Sequence, residues 1–345
     1  GRVCAQHVYA PCNIQPFDNA AMDGFAVRRA DLEGAGEDAP VQLTPVATIQ
    51  AGDAQPEQTS APGQCARIMT GAVVVEGADA VVPVEKTADQ GETIAFTACP
   101  KQHDNIRFAG EDFEQGAHIL APGQQLGRQK IHPLSTLGIG SLEVFKRPRI
   151  AYISTGRELV DAIGAELDEG QIYNSNRAYA SAFLRRPDID FFHAATIADE
   201  PEDFRQTLEQ VSAQQPDIII SSGAVSAGDY DFVRSELENF GARIVNHKLK
   251  LKPGKPNLLA QLPGGALYFG LPGNPVATAV GLRFLVSPAI RAMTGMDAET
   301  PVPARLDAGL AKKPGLHQFF KAYSYCDADG MYRVRVLEGQ ESFKT

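Results

Sequence analysis

Scarcities narrow this sequence first. Cysteine is sparse, with only Cys4, Cys12, Cys65, Cys99 and Cys326 in 345 residues. None sits in a Cys-x-x-Cys pair and the number is odd, which argues against a disulfide framework or a zinc knuckle and fits a reducing cytoplasm. The seven histidines are scattered, with no helical metal-ligand pair among them. Positive charge is outnumbered, 32 Lys and Arg against 42 Asp and Glu, for a net charge of -10. Broad nucleic-acid binding is thereby disfavoured, and any anion site must concentrate its cations locally. No apolar run approaches the ~20 residues of a membrane span, and no internal repeat or low-complexity tract is visible. The chain opens at Gly1 without a methionine, which leaves room for an upstream segment, so the want of a signal peptide decides little.

What is present reads as a folded, soluble chain: hydrophobic residues are 43% and charged residues 21%. The length exceeds what one core usually serves, so two or more domains are expected. Residues 1 to about 145 are rich in Gly, Pro and short β-branched runs such as Ala80-Val81-Val82-Pro83-Val84, which suggests short strands in small sheets. From Pro148 the texture changes. Apolar runs at 149–153, 217–220 and 266–269 each end in a Gly-bearing turn, and helical patterns lie at 178–185, 201–213 and 232–240. Strands alternating with helices imply a parallel sheet covered on both faces, with ligands beyond the carboxyl ends of its strands. After Gly295 short strands return, as in the alternation of Tyr332, Val334 and Val336 with Arg333 and Arg335.

Four constellations could carry chemistry. Residues 246–256 place Lys248, Lys250, Lys252 and Lys255 around Pro253, Gly254 and Pro256. On an extended segment the first three lysines share a face, and the glycine lets a ligand approach the backbone, which suits an oxyanion. A solvated basic edge strand is the other reading. Gly270-Leu271-Pro272-Gly273-Asn274-Pro275 offers Asn274 as a helix N-cap and Pro275 as its first residue, and a helix N-terminus facing a sheet end attracts anions. An ordinary strand-to-helix connection fits the same residues. Glu158, Asp229 and Asp231, with Asp18, Asp23, Glu111 and Asp112 upstream, are acids on turns. Beside a phosphate site such groups hold magnesium; singly they are solvated turn residues. The fourth constellation, residues 16–28, is an ordered aromatic and acidic loop around Gly24.

Five stretches together resemble the molybdopterin molybdenumtransferase family, which includes bacterial MoeA-type enzymes and the E domain of gephyrin. They are Pro16-Phe17-Asp18-Asn19 through Arg28; Arg67-Ile68-Met69-Thr70-Gly71 with residues 76–81; Asn105-Ile106-Arg107 with Gly110-Glu111-Asp112; residues 154–159; and residues 221–275. Their order and spacing fit along nearly the whole chain. The resemblance implies a multi-domain α/β and β subunit. A discontinuous N-terminal domain would span 1–27 plus 106–147, an inserted β flap domain 28–105, and a MogA-like α/β domain with a mostly parallel sheet 148–296. A small C-terminal β domain, expected to be incomplete, would span 297–345. It implies a cytoplasmic homodimer whose cleft lies between the α/β domain of one subunit and the first domains of the other, open to other cofactor-biosynthesis proteins but not to nucleic acid or membrane.

The implied reaction joins molybdate to adenylylated molybdopterin, releases AMP and requires Mg2+. Carried over residue by residue, Asp23, Asp112, Glu158 and Asp231 are the expected catalytic acids, with Asp231 and Glu158 on the metal. Thr70, Lys252, Lys255 and Pro275 join Gly273 and Asn274 of the helix start as the expected substrate and oxyanion contacts. The chain departs from the family at Arg157, Ala224 and Ala277, where Asp, Gly and Ser are common. It departs again at Leu316, Gln318 and Lys321, where an Arg-x-Glu-Phe-x-Arg pattern keeps only Phe319 and a final cation. Those changes predict weaker molybdate binding. Two other readings stand beside this one. A pterin adenylyltransferase would leave residues 1–147 without a purpose, and a non-catalytic scaffold like gephyrin would need partner-binding segments that this sequence lacks.

Overall fold

The computed structural model describes residues 1–54, 60–224 and 232–339. It contains two compact units, one formed by His7–Ala121 with Arg128–Leu142, the other by Gly1–Gln6, Pro122–Gly127 and Glu143–Thr345.

The first unit is built on strands Gly24–Val27 (β1), Val41–Ile49 (β2), Gln64–Ile68 (β3), Ala80–Pro83 (β4), Thr87–Asp89 (β5) and Ile94–Phe96 (β6). They form one six-stranded sheet in the order β4-β1-β3-β2-β6-β5, larger than the small sheets the turn-rich sequence suggested. The strand residues alternate between two clusters. Phe25, Val27, Leu43, Cys65 and Phe96 enter one, and Ala26, Ile49, Ala66, Ile68 and Val81 the other. β1 and β4 are therefore buried along their whole length. Gly24 is required where they approach: a Cβ there would lie 2.1 Å from the Val82 carbonyl oxygen. Two-residue ladders join Val8–Tyr9 to His118–Leu120 and Asn19–Ala20 to Ile106–Arg107. Helix α1 spans Arg128–Thr136.

The second unit carries strands Arg149–Thr155 (β7), Asp190–Ile197 (β8), Ile218–Ser222 (β9), Arg243–His247 (β10), Leu258–Gln261 (β11) and Leu267–Leu271 (β12). Their order is β8-β7-β9-β12-β11-β10. The first four run parallel, and β11 and β10 turn the far edge antiparallel. The period of two sorts the side chains. Ala151, Ile153, Ile219 and Tyr268 face helices Pro201–Ser212 (α3) and Phe232–Asn239 (α4) through Phe204, Leu208, Val233 and Leu237. Ile150, Tyr152, Ile218, Ile220, Phe269 and Leu271 face helices Ser175–Leu184 (α2) and Pro275–Met293 (α5) through Leu184, Leu282, Val286 and Ile290. Both faces are thus covered, as continuous apolar strands require. The three strands and three helices expected from the sequence are all present. β8 was not foreseen.

By length and composition α5 could cross a membrane, which the sequence reading had not anticipated. Its apolar side is spent on the sheet through Ala277, Gly281, Leu282, Val286 and Ile290, and its Arg283 forms an ion pair with Glu299. Beyond it, Arg305–Leu306, Ala322–Cys326 and Tyr332–Val336 form a three-stranded sheet. There Arg333 and Arg335 pair with Asp307 and Asp327. A short parallel ladder, Leu251↔His317 and Lys252↔Gln318, ties the C-terminal segment to the lysine-rich loop.

Candidate functional site

In the second unit the chain passes from β7 outward to β8 and then back across to β9. Strand order therefore reverses at β7, and the crevice beyond the carboxyl ends of β7 and β9 is the expected ligand position in such a sheet. A cavity of about 310 Å³ lies there, lined by Thr155, Glu158, Asn174, Asn176, Asp199, Gly223, Gly273 and Pro275. All three Gly-bearing turns read from the sequence contribute to it or flank it.

The turns are held tightly. The Thr155 hydroxyl donates to the Ser222 carbonyl at 3.2 Å, and the Gly156 N–H donates to the Ile197 carbonyl at 2.9 Å. Gly223 has φ of +100°, and a Cβ on it would stand 2.2 Å from the Thr155 carbonyl oxygen. Asn174 caps α2 by accepting from the Arg177 N–H at 3.0 Å, while its own amide donates to Asp161 at 2.9 Å. Asn176 donates to the Gly273 carbonyl at 2.8 Å and so fixes the start of α2 against the turn before α5.

Two carboxylates share this crevice. Glu158, expected from the sequence, lines it beside Asp199, which was not. Burial, and then the negative charge of Glu158, raise the Asp199 carboxyl above its ordinary pKa. Asp199 Oδ1 is buried and has no hydrogen-bond partner among the described residues. A desolvated carboxylate oxygen left without a donor, next to a second carboxylate, is a placement that a hard divalent cation satisfies. The signal for Asp199 was positional: it follows β8 at the carboxyl end of a parallel strand.

The other side of the Gly273 turn opens on a second cavity of about 620 Å³, lined by Lys252, Gly254, Lys255, Asn274, Ala277, Lys313, Gln318 and Phe319 among others. Lys252, Lys255 and Lys313 bring three ammonium groups to its wall. Gly254, at φ of +108°, lies over the buried Asn257, whose amide donates to the Gly254 carbonyl and so holds the loop shape. The extended lysine face does not form. Lys248 takes a left-handed conformation at φ of +60° just past β10, so only Leu251–Lys252 of residues 248–255 is strand, and Lys248 and Lys250 do not line the cavity. Asn274 and Pro275 begin α5 as expected, with an added consequence. The Asn274 side-chain oxygen accepts from the Val276 and Ala277 N–H groups at 3.0 and 3.3 Å. Those amides are already satisfied, so anion affinity in this cavity falls to the lysines rather than to the helix end. Ala277 lines the cavity, whereas Lys321 is absent from its wall and donates to the Gly339 carbonyl at 3.2 Å.

The remaining expected residues lie in the first unit. Asp23 precedes β1 and Thr70 follows β3. The pairing Gly24↔Ile68 brings them together across 47 positions. Asp23 accepts from the Thr70 N–H and hydroxyl, both at 2.7 Å, and these bonds hold its carboxyl below the usual range. Asp112 accepts from Arg107 at 2.9 Å and from Gln15 at 3.3 Å on the wall of a cavity that also carries Lys130 and His132. Asp18 accepts from the Ala109 N–H, and Glu111 pairs with Arg107. Asp229 and Asp231 lie outside the described residues.

Residues 1–138 match the family profile described as the MoeA N-terminal region (domain I and II). Residues 151–292 match the one described as Probable molybdopterin binding domain. The chain is 34% identical over 322 residues to the molybdopterin molybdenumtransferase of Synechococcus elongatus, covering 93% of this chain and 80% of the relative. It is 35% identical over 347 residues to that of Haemophilus influenzae, covering 99% and 83%. Among solved structures, the molybdopterin biosynthesis moeA protein from Pyrococcus horikoshii OT3 aligns with a TM-score of 0.77 at 27% identity, over 97% of this chain and 82% of that one.

Proposed function

Because the chain belongs to the molybdopterin molybdenumtransferase family, we propose that it inserts molybdate into adenylylated molybdopterin with release of AMP, as a magnesium-dependent homodimer. It is a transferase of molybdenum cofactor biosynthesis, with molybdopterin and molybdate as substrates. The observation that carries the finer reading is the Gly273–Pro275 turn, which separates a two-carboxylate crevice from a three-lysine cavity. A substrate with a phosphate link at one end and a tetrahedral dianion to receive at the other needs those two chemistries side by side.

In the proposed reaction a water oxygen bonds to the pterin-side phosphorus as the P–O bond to the bridging oxygen breaks. AMP leaves with the bridging oxygen, the pterin keeps the other phosphate, and its two thiols bind molybdenum as one molybdate oxygen departs with their protons as water. Lys252 and Lys255 hold oxyanions by charge-assisted hydrogen bonds, and Asn176 keeps the Gly273 turn in place against α2. Glu158, Asp199 and the sequence-assigned Asp231 are the residues that would hold magnesium, as their hard oxygen donors suit that ion. Magnesium there supplies neutralisation of phosphate charge. Asp23, oriented by Thr70, and Asp112, oriented by Arg107, are assigned to the partner subunit's cleft, following the family resemblance. The same reading divides the two units into 1–27 with 106–147, 28–105, 148–296 and 297–345. The free cysteines fit a reducing compartment.

The test is incubation with adenylylated molybdopterin, molybdate and magnesium, followed by measurement of AMP. Asp231→Asn is expected to fold and to release AMP slowly. Unchanged release from that variant at saturating magnesium removes Asp231 from the role.

A further inference from the structure

We propose that His7 and His118 form a two-imidazole site for a divalent late transition-metal ion of the copper, nickel and zinc class. The residues are 111 positions apart, yet His7 Nδ1 and His118 Nε2 stand 3.1 Å from each other. Two imidazole nitrogens bound to one ion at about 2.0–2.1 Å are separated by roughly 2.8–3.4 Å, from cis square-planar to tetrahedral angles. The observed spacing falls inside that range without any movement of the backbone.

The local fold presents the pair. Val8, Ile119 and Leu120 are buried and anchor the two strands. The ladder pairs Val8 with Leu120 but Tyr9 with His118, so a register shift lies between them. Such bulges re-aim side chains. Here the shift puts His7, Tyr9 and His118 on one exposed face, with the Tyr9 ring 5.2 Å from His118 and 6.3 Å from His7 between centroids. No third His, Cys, Asp or Glu joins them among the described residues, so water fills the remaining positions and the site stays open. Neutral imidazole selects copper, nickel and zinc over magnesium, which demands oxygen donors. This site is therefore chemically distinct from the carboxylate crevice and does not depend on the function proposed above.

The competing account is a direct N–H···N hydrogen bond that merely pins the strands. Calorimetric titration of the full chain with CuCl2, NiCl2, ZnCl2 and MgCl2 separates the two. The site predicts one equivalent of copper, nickel or zinc bound, copper tightest, any magnesium uptake unchanged by His7→Ala or His118→Ala, and two-nitrogen hyperfine structure in the copper spectrum. His7→Ala and His118→Ala are each expected to weaken binding tenfold or more, while His317→Ala leaves it unchanged. Nickel is expected to raise the melting temperature of the native chain and of neither site variant. Absence of binding by the native chain, or binding by His7→Ala and His118→Ala as tight as that of the native chain, overturns the proposal.

Discussion

Gly223→Ala is the substitution whose consequence follows most directly from the geometry. Gly223 closes β9 at φ of +100°, and an added Cβ would sit 2.2 Å from the Thr155 carbonyl oxygen and 2.4 Å from its hydroxyl. Contacts under 3.0 Å are essentially never seen for a real Cβ, so the ends of β7 and β9 must part by at least 0.8 Å (3.0 less 2.2). The left-handed conformation costs about 1–2 kcal/mol for a residue with a Cβ. Forcing packed backbone apart adds about 1–3 kcal/mol. Alanine returns about 0.4–1 kcal/mol by restricting the unfolded chain. The net loss is about 1–5 kcal/mol, a large share of the ~5–15 kcal/mol typical of a folded protein. The hairpin between β11 and β12 supplies controls. Gly265 has φ of +89° with nothing within 4 Å of a Cβ, and Gly264 has open space with no positive φ. Urea unfolding should rank Gly264→Ala at or above the native chain, Gly265→Ala lower and Gly223→Ala lowest. AMP release by Gly223→Ala should fall even where it is folded, because Thr155 lines the crevice. If Gly223→Ala unfolds no more readily than Gly265→Ala, the close approach of β7 and β9 is wrong.

Asp199→Asn should separate stability from activity. Burial and the Glu158 charge raise the folded-state pKa of Asp199, so the folded chain binds more protons than the unfolded one between the ordinary aspartate value and the raised one. Its contribution to stability therefore falls as pH rises through that window and stays unfavourable above it. The Asn variant should lose that acidic-range slope, be at least as stable at neutral pH, and release little AMP; a less stable but active variant contradicts this. Lys255→Ala removes one charge-assisted hydrogen bond, about 1.5–3 kcal/mol, so roughly 10–150-fold more molybdate should be needed for half-maximal AMP release. The low end is expected because Lys252 and Lys313 remain in the cavity, and an unchanged requirement places Lys255 away from the anion. Mixing Asp112→Ala with Lys255→Ala subunits should restore some activity, because one cleft of the mixed dimer is then complete; mixed dimers without activity rule out a shared site.

The central sheet was legible because β7 and β9 are continuous apolar runs, which only a strand covered on both faces tolerates. Asn274 and Pro275 were legible because their chemistry is local to a helix start. Asp199 was not, because β8 is a half-buried edge strand whose His193 and Thr196 break any clean apolar pattern. Lysine alternation misled at 248–252, since periodicity assumes an extended backbone and Lys248 leaves that conformation. The pairing of Asp23 with Thr70 depends on the register of β1 against β3. Spacing in the sequence does not encode that register: Asp23 stood out only as one of several acids on turns, and the family resemblance alone brought in Thr70. The His7–His118 contact is hidden for the same reason, through a bulge between strands far apart in the chain.

The central claim is that this chain joins molybdate to adenylylated molybdopterin and frees AMP. It is tested most directly by mixing the purified chain with that substrate, molybdate and magnesium, then measuring AMP and pterin-bound molybdenum together. The account predicts that both appear in equal amounts, and that both fall when Lys252 and Lys255 are replaced by alanine. AMP without bound molybdenum, or neither product from a folded chain, would contradict it.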